Sequence, residues 1–298
     1  MPTDTAIGPT GGPVTRFAPS PTGRLHLGHA YSAWFAWSQA ARAGGRFLLR
    51  IEDIDRGRCH PEFDAGILDD LAWLDLSWET PVRRQSDHFA DYAKALDVLA
   101  DRGLIYPCFC TRKDIQREIE AAGHAPHDVP RGPDGALYPG TCRALDSGEA
   151  GDRVTRGDAF ALRLKTDVAA AVTGPLPWTD LDRGAQKARP EMFGDVVLAR
   201  KDTPTSYHLA VTLDDHIQGV TRVTRGEDLF AATHLHRLLQ ALLGLRTPEY
   251  RHHGLLTGPD GKRFAKRDKS ETIETLRNRG HAPDEVWEMA GVPAEARP

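Results

Sequence analysis

Long hydrophobic runs are missing from this 298-residue sequence. No apolar stretch approaches the ~20 residues that a membrane helix needs, and Met1 to Pro13 lacks the basic-then-apolar profile of an export signal. A cytoplasmic protein with no membrane partner is therefore expected. Cysteine is scarce, at four residues (Cys59, Cys108, Cys110 and Cys142); without an export profile these read as thiols or metal ligands rather than disulfides. A large net charge is missing too. Lys and Arg number 38 against 42 Asp and Glu, giving −4 and a pI near 6.4. No overall field draws nucleic acid, so any phosphate contact needs a local basic patch. Neither G-x-x-x-x-G-K-[ST] nor G-x-G-x-x-G occurs, which removes the two commoner glycine loops for holding a nucleotide. What is present, 40% apolar and 27% charged residues, is the composition of a globular enzyme.

No internal repeat stands out, but the chain changes character along its length. Residues 1–13 read as a disordered start. Residues 14–105 alternate strand-like and helix-like segments: VTRFAPS, a helix from about Leu25 to Ala43, FLLRIED, then helices near Glu62 to Leu74 and Asp87 to Arg102. That alternation predicts parallel strands with crossover helices, the first half of a Rossmann-like α/β domain. Residues 106–189 are rich in Gly, Pro and Asp, hold three of the four cysteines, and read as an insertion with little core of its own. Residues 190–262, with DVVLARKD, SYHLAVTLDDHI and VTRVTRGEDL, supply the second half. Residues 263–298 form a basic loop and a short helical tail, with Asp268 and Glu271 as the N-cap pair of its first helix.

The densest signal is FAPSPTGRLHLGHA, Phe17 to Ala30. A strand runs through a Pro-Gly turn into a helix whose N-terminus offers unpaired N–H donors and a positive dipole end to an anion. His26 and His29, three apart, share one face of its first turn and are placed to donate to ATP phosphates as pyrophosphate leaves. Alone, this is equally the pattern of an ordinary strand-turn-helix junction. Arg16, Glu52 and Arg225 fall at the ends of predicted parallel strands, where ligands bind in open α/β sheets. Two arginines suit a substrate's carboxylates and one carboxylate suits an ammonium. Singly, each is as well explained as a surface ion pair.

Taken in order and spacing, these segments resemble class I aminoacyl-tRNA synthetases of the glutamyl type. FAPSPTGRLHLGHA is similar to their first signature in its extended form, and GKRFAKRDKS to their second, basic one, with Phe264 and Ala265 in place of the usual residues. The resemblance implies an ATP site of His26, Gly28, His29 and Lys266, with His26, His29 and Lys266 catalytic. It implies a glutamate site of Arg16, Phe17, Ala18, Pro19, Ser20, Glu52, Tyr207 and Arg225, with Glu52 facing the ammonium and the RIED, YHLA and VTRG segments as strand ends. Only 31 residues follow Arg267 (298 − 267), fewer than the ~50 of an independent domain. The resemblance is therefore to the branch without an anticodon-binding half, the glutamyl-queuosine tRNA(Asp) synthetases. For that branch the implied reaction is activation of L-glutamate by ATP with Mg²⁺, then transfer to queuosine at the wobble position of tRNA(Asp), by a monomer. A minimal glutamyl-tRNA synthetase charging the acceptor end is the alternative, and a nucleotidyltransferase or a module that only binds tRNA are more distant ones.

Cys108, Cys110 and Cys142 lie within 35 residues of a loop-rich module, where a structural zinc can substitute for a core. The residues themselves leave His124 or His127 as the fourth ligand. The resemblance instead implies Tyr138, from Tyr138-Pro-Gly-Thr-Cys142.

Overall fold

The computed structural model describes residues 11–121, 130–256 and 271–298. Its first half alternates β1 (Val14–Phe17), α1 (Leu27–Ala41), β2 (Arg46–Ile51), α2 (Pro61–Trp73), β3 (Glu79–Arg84) and α3 (Phe89–Asp101). The strands lie parallel in the order β1-β2-β3. Residues Phe47 to Ile51 of β2 are buried on both faces, as expected where crossover helices cover a parallel sheet. The alanines at 30, 33, 36 and 40 line the buried face of α1 and let it lie close over β1, where the Thr15 hydroxyl donates to Ala36 O at 2.8 Å. A Cβ at Gly45 would collide with Pro13 O, so only glycine fits as the chain turns into β2.

After β4 (Ile105–Cys108) come α4 (Arg112–Ala121), the hairpin β5 (Arg131–Gly132) and β6 (Gly135–Ala136), α5 (Ser147–Thr155), β7 (Ala161–Leu164), α6 (Thr166–Thr173), and a second hairpin, β8 (Pro177–Asp180) and β9 (Gly184–Lys187). Then follow β10 (Val197–Ala199), α7 (Tyr207–Ile217), β11 (Arg222–Gly226), α8 (Ala232–Leu243), β12 (Glu249–His253), α9 (Ile273–Asn278) and α10 (Pro283–Met289). Strands β10-β7-β4 make a separate antiparallel sheet. Strands β11, β12 and β8 are mutually parallel, with β9 returning antiparallel to β8. The start of β11 lies against β1: Thr221 N donates to Val14 O at 3.0 Å, and Val14 N to the Thr221 hydroxyl at 2.9 Å. The tail closes the other side, its Ile273, Leu276, Val286 and Trp287 packing with α1, β2 and α2.

Three local expectations change. Residues Pro177 to Asp180, read from sequence as part of the insertion, pair with β12 in the sheet of the second half, Gly184 to Lys187 pair in turn with them, and Trp178 packs in the main core. The YHLA segment is not a strand end. Tyr207 begins α7, a helix buried at every position from Leu209 to Asp215, so its residues show no one-sided apolar periodicity by which the sequence could mark it as helical. The cap of α9 is Thr272, whose hydroxyl accepts from Thr275 N at 3.1 Å; Asp268 lies outside the described residues.

An ionic seam joins the halves. Fully buried Asp214 on α7 accepts from Arg83 Nε, Gln85 Nε2 and the Tyr92 hydroxyl, each at 2.8 Å. Its neighbour Asp215 takes Arg16 Nε at 3.0 Å and Arg50 Nη1 at 2.9 Å. Removing one partner of such a buried set strands the others. Asp214→Ala should therefore lower the unfolding free energy by about 3–5 kcal/mol in urea denaturation, with Asp214→Asn less costly because it keeps an acceptor.

Candidate active site

A cavity of about 500 Å³ opens at the C-terminal ends of β1, β2, β11 and β12. Arg16, Phe17, Ala18, Pro19, Ser20, His26, Gly28, His29, Glu52, Tyr207 and Arg225 all line it. Residues separated by up to 209 positions in the chain thus face one space. Lys266 lies outside the described residues. The described residues flanking its segment sit at the cavity, however. Leu256 lines the wall, while Thr272 forms a β-bridge with His26, and Ile273 N donates to Leu25 O at 2.9 Å.

The turn into α1 fixes both histidines. His26 is the N-cap, its Nδ1 accepting from Gly28 N at 3.1 Å, and His29 Nδ1 accepts from His26 N at 3.2 Å. With each Nδ1 committed as an acceptor, the ring proton of each belongs on Nε2, and the Nε2–H is the donor each ring can offer an anion. The ring centroids are 3.7 Å apart. A Cβ at Gly28 would come within 3.0 Å of the His26 ring, so the smallest residue keeps this approach open.

The charged groups divide by their partners. Arg16 is spoken for, bonding Asp215 through Nε and donating to Thr224 O through Nη1 at 2.9 Å. Arg50 Nη2 holds Glu52 Oε1 at 3.2 Å. Burial pushes the Glu52 carboxyl upward, against the pull of Arg50 and Arg16, so a bound cation would be welcome there. Tyr207 lines the cavity from the first turn of α7, and burial raises its phenol. Arg225 differs: its Nε donates to His252 Nε2 at 3.2 Å, its Nη1 to His236 Nδ1 at 3.2 Å and its Nη2 to the Thr233 hydroxyl at 2.6 Å. Among the described residues no carboxylate bonds it. Reading from sequence missed Asp215, His236, His252 and Asp180, whose carboxylate lies 2.7 Å from His252 Nδ1. The one available signal was an arginine inside the apolar strand FLLRIE, which demands a buried carboxylate elsewhere.

The cysteine cluster is separate. The sulfurs of Cys108, Cys110 and Cys142 all lie within 4.8 Å of one another, close to what one ion bonded to thiolates at ~2.3 Å requires. The Tyr138 hydroxyl is 3.4 Å from Cys110 Sγ and accepts from Cys142 N at 2.8 Å. Burial pushes the Cys110 thiol up to about 12. The Cys142 thiol is lowered, since hydrogen bonds from Tyr138 and from Phe109 N outweigh its burial. Two sulfurs 3.3 Å apart resist joint ionisation unless a cation lies between them, so this donor set fits a divalent metal. His124 and His127 lie outside the described residues.

Comparison with known proteins gives a consistent picture. The family profile described as tRNA synthetases class I (E and Q), catalytic domain, matches residues 14–291. The chain is 52% identical to a glutamyl-Q tRNA(Asp) synthetase of Rhodobacter capsulatus, over 94% of this chain and 100% of that one. It is 43% identical to a protein of the same name from Nitratidesulfovibrio vulgaris, over 89% and 81%. Among solved structures, the glutamate-tRNA synthetase of Elizabethkingia anophelis superposes with a TM-score of 0.79 at 27% identity. That match covers 96% of this chain and 63% of the solved one. Among the described residues, no helix is long and apolar enough to cross a membrane.

The environment of Arg225 sets a pH dependence. Burial, then the charge of Arg225, holds His252 at about 4, against the opposing pull of Asp180. The unfolded imidazole titrates near 6.5. Between those values the unfolded chain binds a proton that the folded one refuses, so this ring's contribution to stability is complete above pH 6.5 and declines as pH falls toward 4. The slope approaches about 1.4 kcal/mol per pH unit. Urea unfolding of the wild type and of His252→Gln at pH 7 and pH 5 should show the wild type losing about 1–2 kcal/mol more. A pH-independent difference would mean that this ring is not the titrating group.

Proposed function

The chain belongs to the class I tRNA synthetases of the E and Q type, within their glutamyl-Q tRNA(Asp) synthetase branch, and on that premise we propose that it activates L-glutamate with ATP and transfers the glutamyl group to queuosine at the wobble position of tRNA(Asp). The observation that carries this reading is the convergence of Arg225, Glu52 and the His26/His29 turn on one cavity. Such a space offers a fixed cation for the side-chain carboxylate, an anion for the ammonium, and donors for phosphate.

In the first step the α-carboxylate of glutamate attacks the α-phosphorus of ATP, bound with Mg²⁺ as substrate, and pyrophosphate leaves. The Nε2–H groups of His26 and His29 donate to the phosphate oxygens as negative charge gathers there. Lys266 serves the same phosphates. Arg225 and Tyr207 orient the side-chain carboxylate, Glu52 holds the ammonium, and Arg16 with Phe17 to Ser20 shapes the cavity floor. In the second step a hydroxyl of the queuosine cyclopentenediol attacks the mixed anhydride and AMP departs. Holding the reactants in line supplies most of the acceleration. The assignment of Cys108, Cys110, Tyr138 and Cys142 to zinc belongs to the same proposal, the ion acting as a structural cross-link for a module whose own apolar cluster is small.

Two outcomes test these readings. Purified protein should catalyse ATP–pyrophosphate exchange with glutamate, far less with glutamine or aspartate, and without needing tRNA. Nucleoside mass spectrometry of the reacted tRNA should place the added glutamate on queuosine; its appearance on the terminal adenosine would instead identify an acceptor-charging enzyme. Separately, atomic absorption should find about one zinc per chain, and Cys142→Ser should lose it along with several degrees of thermal stability. Full zinc retention in that variant would remove Cys142 from the ligand set.

A further inference from the structure

Buried arginines ordinarily sit on carboxylates, because an uncompensated guanidinium is expensive to desolvate. Arg16 and Arg50 follow this rule through Asp215. Arg225 does not. It is only 6% exposed, and its bonds go to two imidazoles and a hydroxyl. Since a guanidinium has no acceptor capacity, the nitrogens facing it must carry lone pairs. That requirement alone fixes both rings. His252 presents Nε2 to Arg225 and keeps its proton on Nδ1, where Asp180 Oδ2 accepts at 2.7 Å. His236 presents Nδ1 to Arg225, and its Nε2–H faces His208 Nδ1 at 3.1 Å. His208 in turn faces the exposed Asp134 through Nε2 at 3.2 Å. The two rings against Arg225 therefore hold opposite tautomers, each locked by its second partner.

We infer that His236 and His252 are positioning residues that determine specificity: as neutral acceptors they orient the Arg225 guanidinium without cancelling its charge, so the cavity selects a substrate carboxylate over a carboxamide of the same shape. The inference rests on the glutamate reading above and explains how the cavity prefers the acid. Asp180 is kept off the guanidinium by the His252 ring. Among the described residues no carboxylate bonds the guanidinium, so the substrate's own carboxylate can meet the charge directly. An amide in its place would leave a buried cation with no counter-charge, which is the costly state.

The deciding comparison is His236→Glu against His236→Gln, two side chains alike in size and reach that differ in charge. The Gln variant should keep a glutamate KM near that of the wild type in ATP–pyrophosphate exchange. The Glu variant should pair with Arg225 internally, raising the glutamate KM roughly 100-fold with a smaller change in kcat, and lowering the preference for glutamate over glutamine by roughly tenfold. Equal KM values and equal preference in the two variants, to within about twofold, would overturn the inference. A measurement on the wild type needs no variant to fold. Imidazole ¹⁵N spectra at pH 7 should show His236 neutral with its proton on Nε2 and His252 neutral with its proton on Nδ1. An imidazolium at either position overturns the inference while leaving the glutamate reading intact. Absence of glutamate-dependent exchange by the wild type would instead remove the reading beneath it.

Discussion

The site depends on two adjacent acidic residues of one helix. Asp214 and Asp215 on α7 meet three arginines, one from each strand of the first sheet: Arg16 of β1, Arg50 of β2 and Arg83 of β3. The burial that would raise the Asp215 carboxyl is outweighed by Arg16 and Arg50, which hold it below the usual carboxylate range. This seam is more than adhesive. It sets α7, and hence Tyr207 at its start, against the strand ends that carry Arg16 and Glu52. A purely apolar contact would bind the halves as tightly but would tolerate sliding, whereas each guanidinium accepts one geometry.

A division of labour among charges follows from that constraint. Arg16 and Arg50 are largely neutralised within the protein and serve as framework, while Glu52 is held by one oxygen and desolvated. Arg225, across the cavity, bonds two neutral rings and the Thr233 hydroxyl, and no carboxylate among the described residues. The cavity therefore carries a positive pole on the β11 side and a negative one on the β2 side, both anchored on buried sheet. A zwitterion with an extra carboxylate matches that polarity. Its fit depends on groups held by buried hydrogen bonds, Glu52 through Arg50 of the seam and Arg225 through His236, His252 and Thr233, which is preorganisation in the physical sense.

The strand ends were legible in the sequence because parallel α/β sheets place ligands there as a matter of topology, and because Arg16, Glu52 and Arg225 stand in short, well-patterned segments. The turn to α1 was legible too, since Pro, Gly and two histidines at that spacing leave few alternatives. The supporting groups were not. Asp180 sits in PWTDLD and His252 in YRHHG, segments whose local pattern reads as turn and edge strand, and nothing in either points across 72 residues to the other. Tyr207 was placed in the site but on the wrong element, because YHLA has the apolar content of a strand end. Because every residue from Leu209 to Asp215 is buried, the segment lacks the alternation of buried and exposed positions that marks a helix in sequence.

The inserted stretch is usually the easiest part of such a chain to set aside as an appendage, yet β8 argues otherwise. The same excursion that carries Cys108, Cys110, Tyr138 and Cys142 into one cluster returns as Pro177–Asp180 to pair with β12, bringing Asp180 beneath His252. A second tie runs from the hairpin of β5 and β6, where Asp134 reaches His208 and through it His236. The His252 ring is thus held from its far side by Asp180, and the His236 ring by His208, which itself faces Asp134. Asp180 and Arg225 stand on strands of one sheet, β8 and β11 on either side of β12, so the acid that orients the His252 ring and the guanidinium that the ring supports share one framework.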